Sequence, residues 1–226
     1  MNPPPAQAVW DAKIGLSDWN AVWGAASMYA TPRDKTAQFQ LKHRNLWVAK
    51  AGGCSDPGCK ARGCRQEETQ EHLYECPVIQ RNFWNPIFAS MIRMGLAPKP
   101  DHRYVILGIQ GTTKLAGIDR EEAGVMQIAW RCLYAQSVKA KLEGGYLNLE
   151  EAVYKTLRLT LARVIAHGNK WRNWYRRQAG HVTPKTFPEK HQEKTLITFD
   201  DSARYTVSEK LKNEVANARA NQMGEA

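Results

Sequence analysis

Along most of this chain, apolar residues recur at helical rather than strand spacing. Trp19, Val22, Trp23 and Met28 follow the capping residues Ser17 and Asp18, which predicts a first helix. Pro32 opens a second, whose apolar positions Phe39, Leu41, Leu46, Trp47 and Val48 run to a stop at Gly52 and Gly53. Pro77 starts another, carrying Val78, Phe83 and Trp84; Pro86 either kinks it or begins a separate helix ending near Gly95. Asp119 to Leu142 reads as helix closed by Gly144 and Gly145, and a long helix from about Leu149 to Arg177 follows. In that helix Val153, Leu157, Leu161, Val164, Gly168, Trp171 and Tyr175 fall on one stripe. Only the tail changes period: a Pro/Lys-rich linker from Val182 to Lys194, a small hairpin from Thr195–Phe199 and Arg204–Val207, and a last polar helix capped by Ser208.

The pattern therefore predicts a mainly α fold in four stretches: a flexible Pro-rich N-terminus (1–16), a helical domain (17–95), a helical extension with the long helix (96–181), and the linker, hairpin and terminal helix (182–226). No stretch is long or apolar enough to span a membrane. The chain opens Met-Asn-Pro-Pro-Pro without an apolar signal segment, so an intracellular protein, nuclear or cytoplasmic and not secreted, is expected.

Charge changes that picture in two places. The formal net charge is +10. From Arg33 to Arg65 the local balance is +6, and from Lys155 to Arg177 it is +7 with no acid at all. Basicity gathered in this way favours a polyanion-binding surface. Lys42, Arg44, Lys60, Arg62 and Arg65 are candidate phosphate contacts in the first stretch, and Lys170, Arg172, Arg176 and Arg177 in the second. In the long helix, Lys155, Arg158, Arg163 and Lys170 oppose the apolar stripe, and Trp174 at its edge could stack on an unpaired base. The alternative is a solvated basic face whose aromatic rings are simply core.

Cysteine supplies the chemistry. Cys54, Cys59, Cys64, His72 and Cys76 concentrate soft ligands within one short segment, and Zn²⁺ takes four such ligands in a tetrahedron. Cys59, Cys64, His72 and Cys76 fit best. Gly63 allows a turn between the first pair, and a helix beginning near Gln66 would project His72 and Cys76 side by side. Cys54 is a fifth candidate for four places, a substitute for Cys59 or a nearby thiol. A disulfide framework is disfavoured by the odd cysteine count and the expected compartment.

In order, the elements Trp19 and Trp23, Pro32 through Leu41, Cys59 and Cys64, Glu67-Glu68-Thr69, His72-Leu73, Cys76-Pro77 and Trp84 resemble the zinc-binding domain that follows the polymerase in reverse transcriptases of LINE-type non-LTR retroelements. Ile106-Leu107-Gly108 and the helix through Trp130-Arg131 extend the likeness over most of residues 17–135. Two spacings depart from the family, with four residues between Cys59 and Cys64 and three between His72 and Cys76. The resemblance implies bound zinc, contact with template RNA or target DNA, and a separate reverse transcriptase as a partner. It does not imply catalysis here, because no polymerase core is present. Phe199-Asp200-Asp201 reads as a hairpin turn rather than a catalytic aspartate pair. A zinc hydrolase or deaminase is disfavoured, since the His-x-Glu with Pro-Cys-x-x-Cys pattern is missing. The competing class is a zinc-stabilised protein interaction scaffold.

Overall fold

The computed structural model describes residues 5–15, 19–24, 28–44, 46, 57–108, 119–177, 195–199 and 205–224. The fold is mainly helical. The helices are α1 (Pro5–Ile14), α2 (Trp19–Gly24), α3 (Pro32–Lys42), α4 (His72–Glu75), α5 (Pro77–Ile79), α6 (Asn85–Arg93), α7 (Arg120–Glu143), α8 (Leu149–Arg177) and α9 (Glu209–Gly224). Strands β1 (Ile197–Phe199) and β2 (Tyr205–Val207) pair antiparallel, Ile197 opposite Val207 and Phe199 opposite Tyr205. No helix among the described residues is long and apolar enough to cross a membrane.

Local chemistry explains the boundaries. Thr31 and Asp34 form a reciprocal capping box at the start of α3, with Pro32 in its first turn. The Asp119 carboxylate accepts the amides of Glu121 and Glu122 to start α7, and Gly144 at φ +70° ends it. Asn148 accepts the Glu151 amide at 2.9 Å to open α8. Pro86 sits in the first turn of α6, the second of the two expected alternatives, and that helix ends at Arg93, just before Gly95. A π-helical turn, Gln80–Trp84, joins α5 to α6, and its wider ring gives room just before a residue that lacks an amide hydrogen.

Several expected boundaries move. The first helix stops at Gly24, and Met28 lies beyond it, where its amide donates to the Arg120 carbonyl at 2.7 Å. The Met28 carbonyl also crowds α7. A side chain at Gly124 would place its Cβ 1.8 Å from that oxygen, so only glycine permits the contact. Helix α3 ends at Lys42 because Arg44 adopts a left-handed φ of 57°, and Trp47, Val48, Gly52 and Gly53 lie outside the described residues. Phe39, expected among the apolar positions, is 57 % exposed. Within the N-terminal stretch α1 buries Trp10 completely, and its indole N–H donates to the Lys42 carbonyl.

The expected boundary at residue 95 does not divide the core. Trp84 and Trp130 meet with ring centroids 4.9 Å apart, and one apolar cluster runs from Trp10 to Leu211. The Trp84 indole donates to the Leu73 carbonyl and that of Trp130 to Val105, in a second, buried π-helical turn (Arg103–Leu107). Helix α8 packs between α7 and α9, with Gly168 against the Tyr205 ring. The linker 182–194 lies outside the described residues.

Candidate metal centre and basic surfaces

Upstream of α4 the chain makes a small knuckle. Cys59 donates its amide to the Gln66 carbonyl at 2.8 Å and Glu68 donates to Pro57 at 2.9 Å, so the two arms run antiparallel. Between them Cys64 donates to Ala61, and Gly63 at φ +88° completes the turn. Thr69 accepts the His72 amide and starts α4. The helix expected from Gln66 is a single turn, because Cys76 precedes Pro77 and is driven to φ −58°, ψ 120°. That one turn suffices: the Cys76 amide reaches the His72 carbonyl at 2.9 Å, which places both side chains on one face.

The structure brings Cys59, Cys64, His72 and Cys76 together, their ligand atoms all within 4.8 Å of one another. Cys59 Sγ lies 4.0 Å from Cys76 Sγ, and Cys64 Sγ lies 3.3 Å from His72 Nε2. A tetrahedron with arms of about 2.3 Å has edges of roughly 3.8 Å, so the group has the size of a metal coordination sphere. Electrostatics fit as well. Burial pushes the Cys59 and Cys76 thiols up, and burial holds the His72 imidazole down, toward the neutral form that ligates. Backbone amides already face the sulfurs, from Ala61 to Cys59 at 3.4 Å and from Val78 and Ile79 to Cys76. Such donors favour thiolates, and a cation would remove the remaining cost of burying them. Cys54 lies outside the described residues.

Buried ion pairs lock this knuckle to the helices. Glu68, wholly buried, accepts from Ser137 Oγ at 3.1 Å and from the Lys141 ammonium, both on α7. The Leu147 amide donates to the Lys60 carbonyl at 2.9 Å, which ties the knuckle to the loop between α7 and α8. On the far side Glu71 meets Arg44 and Lys13. Burial alone would raise the Glu71 carboxyl, but those two cations hold it at about 2.

The expected phosphate contacts separate into distinct groups. Lys42 and Arg44 are corrections. Lys42 is buried, its ammonium donating to the Val22 carbonyl, and burial lowers it to about 8. Arg44 is held between Glu71 and the ring of Trp10. Arg62 and Arg65 are exposed on the knuckle turn and Lys60 is half-buried beside them. Lys170 is exposed on α8, about 30 Å from the knuckle end of that helix at 1.5 Å per residue. Arg172, Trp174, Arg176 and Arg177 belong to the same helix, but their side chains fall outside the described residues. Nor is α8 cationic along its whole outer side. Arg163 is drawn in to Asp34 at 3.2 Å and Lys155 pairs with Glu151.

The expected contacts did not include Arg33 and Lys35, both exposed on α3, or the buried Asp34 between them, which binds Arg131 and Arg163. No local signal separates Arg33 and Lys35 from Lys42, because the burial of Asp34 is decided by Arg131 and Arg163, far along the chain. Tyr146, 67 % exposed just after Gly144 and Gly145, is a further residue that periodicity does not single out. No family model matches this sequence, and it matches neither a curated protein nor a solved structure.

Proposed function

We propose that this chain is a non-catalytic, zinc-anchored module that binds nucleic acid, as its resemblance to the region after the polymerase of LINE-type reverse transcriptases implies. Cys59, Cys64, His72 and Cys76 would hold Zn²⁺, the metal that three sulfurs and one imidazole at tetrahedral spacing favour. Four protein ligands close the sphere and leave no position for a reactive water, so the metal's contribution is structural.

One observation carries the nucleic-acid reading. Arg33 and Lys35 flank Asp34, whose charge Arg131 and Arg163 already neutralise, so the surface where α3 meets α8 carries a surplus of cations. Lys170 lies on α8 about 10 Å from Arg163 and extends the same charge. A phosphate backbone is a polyanion that such a surplus of cations attracts.

Purified protein should contain about one equivalent of zinc. Replacing Arg33, Lys35 and Lys170 by Ala together should weaken binding to RNA and DNA strands of any sequence. It should also flatten the salt dependence by roughly 0.7 for each phosphate of a single strand that is no longer neutralised. Gel-shift titrations at two salt concentrations measure both. Affinity that ignores salt and these substitutions would favour the interaction scaffold instead.

A further inference from the structure

Helix α3 carries a feature that charge does not explain. Phe39 is 57 % exposed on a helix whose other large apolar side chain, Leu41, is fully buried. Single exposed apolar side chains are common on protein surfaces, so the surroundings of this one decide its meaning. Lys35, Phe39 and the capping residue His43 lie four positions apart, and so follow one another along the outer side of α3. The His43 imidazole leans on the Phe39 ring, with centroids 4.3 Å apart and planes at 46°, which limits how that ring can turn. Lys35 and Arg33 are both exposed and form no ion pair among the described residues.

We infer that the Phe39 ring is a stacking platform for an unpaired base of a single strand, whose adjoining phosphate Lys35 holds; the inference rests on the nucleic-acid reading above. Residues four apart on a helix have Cβ atoms about 5–6 Å from one another, so one nucleotide can meet both side chains. Every base has a π-face, and the ring would therefore hold a strand without selecting its sequence. A duplex stacks its bases on one another and leaves only its phosphates for the cations. A protein partner fits less well. A stable interface buries about 800 Å² per partner, whereas one aromatic side chain contributes about 150–250 Å². The other exposed positions of α3 include Arg33, Lys35 and Thr36, which are polar or charged.

The test is fluorescence anisotropy with a short mixed-sequence DNA strand, alone and annealed to its complement, at two salt concentrations on the zinc-loaded full chain. Phe39→Ala should weaken single-strand binding by about 5- to 150-fold, with the salt slope and the duplex affinity unchanged. Phe39→Tyr should keep wild-type affinity and Phe39→Leu should not, because stacking needs an aromatic face rather than apolar bulk. Lys35→Ala should weaken single-strand binding and lower its salt slope by roughly 0.7. Unchanged zinc content and circular dichroism confirm that each variant is folded. If Phe39→Ala or Phe39→Leu binds the single strand as tightly as wild type, or Phe39→Ala weakens both forms alike, the ring is not a stacking platform, while the α3–α8 charge surface stands. Altered sedimentation of Phe39→Ala with intact DNA affinity would make the ring a contact between copies of the chain and overturn the inference in the same way. If wild-type protein binds neither form at low salt, both readings fall together.

Discussion

The knuckle and the paired helices α7 and α8 are ordered by opposite means. From Pro57 to Cys76 the regular structure is an isolated bridge and one helical turn, and much of what is buried is polar: Glu68, Gln70, Glu71 and His72. From Arg120 to Arg177 two long helices bury Val125, Met126, Ile128, Trp130, Leu133, Leu157 and Val164 against each other and their neighbours. Each fully buried side chain of that kind contributes about 1.5–3 kcal/mol. The helices bury many large apolar side chains to offset the entropy of ordering, whereas the knuckle contributes few to the shared core, Ala61, Leu73 and Tyr74 with Cys59 and Cys76. Ion pairs to its neighbours therefore weigh more in its stability, and the proposed zinc would add to them.

The largest effect expected is therefore the loss of metal. A structural zinc contributes on the order of 10 kcal/mol to folding of its site. Chelation, or Cys64→Ala, His72→Ala or Cys76→Ala, should abolish hydrogen-exchange protection across residues 57–76 and leave α7 and α8 protected. Uniform loss along the chain would show that the two regions form one cooperative unit. Cys54→Ala should be mild.

The reverse experiment is Asp34→Ala. Two guanidinium groups from α7 and α8 converge on this buried carboxylate, and breaking a buried pair costs about 3–5 kcal/mol. Urea unfolding should shift to lower denaturant with metal content unchanged. Acid should separate the regions too. Burial would raise the Asp34 carboxyl, but hydrogen bonds from Thr31 and Arg131 and the charge of Arg163 hold it below the ordinary 3.8. A depressed carboxyl stabilises the fold above its unfolded value, and that contribution fades only as pH falls through the folded value. Thiolate ligands reprotonate at higher pH, so zinc release should precede loss of helix in an acid titration followed by both signals. Coincident transitions would erase the distinction.

The smallest effect concerns Lys42. Because its ammonium is spent on the Val22 carbonyl, Lys42→Met should leave nucleic-acid affinity unchanged. A clear loss would return Lys42 to the binding surface.

The helical class, the helix starts at Pro32 and near Asp119, the span of α8 and the Cys59, Cys64, His72 and Cys76 cluster are all legible in the order of residues. These are short-range matters: proline, glycine and capping residues act on the backbone within a turn, and metal ligands cluster within one segment. Which cations face solvent is not legible there. Lys42 and Arg33 are alike as basic residues of one short helix. Only packing turned one under Val22 and left the other beside a neutralised Asp34. Nor could periodicity reveal that Arg62 meets Tyr146, or that Glu68 reaches Lys141. Those contacts join residues far apart in the chain, and they exist because packing around Trp84 and Trp130 brings the knuckle against α7 and α8. A charge's role depends on what the fold places beside it, and that information is not local.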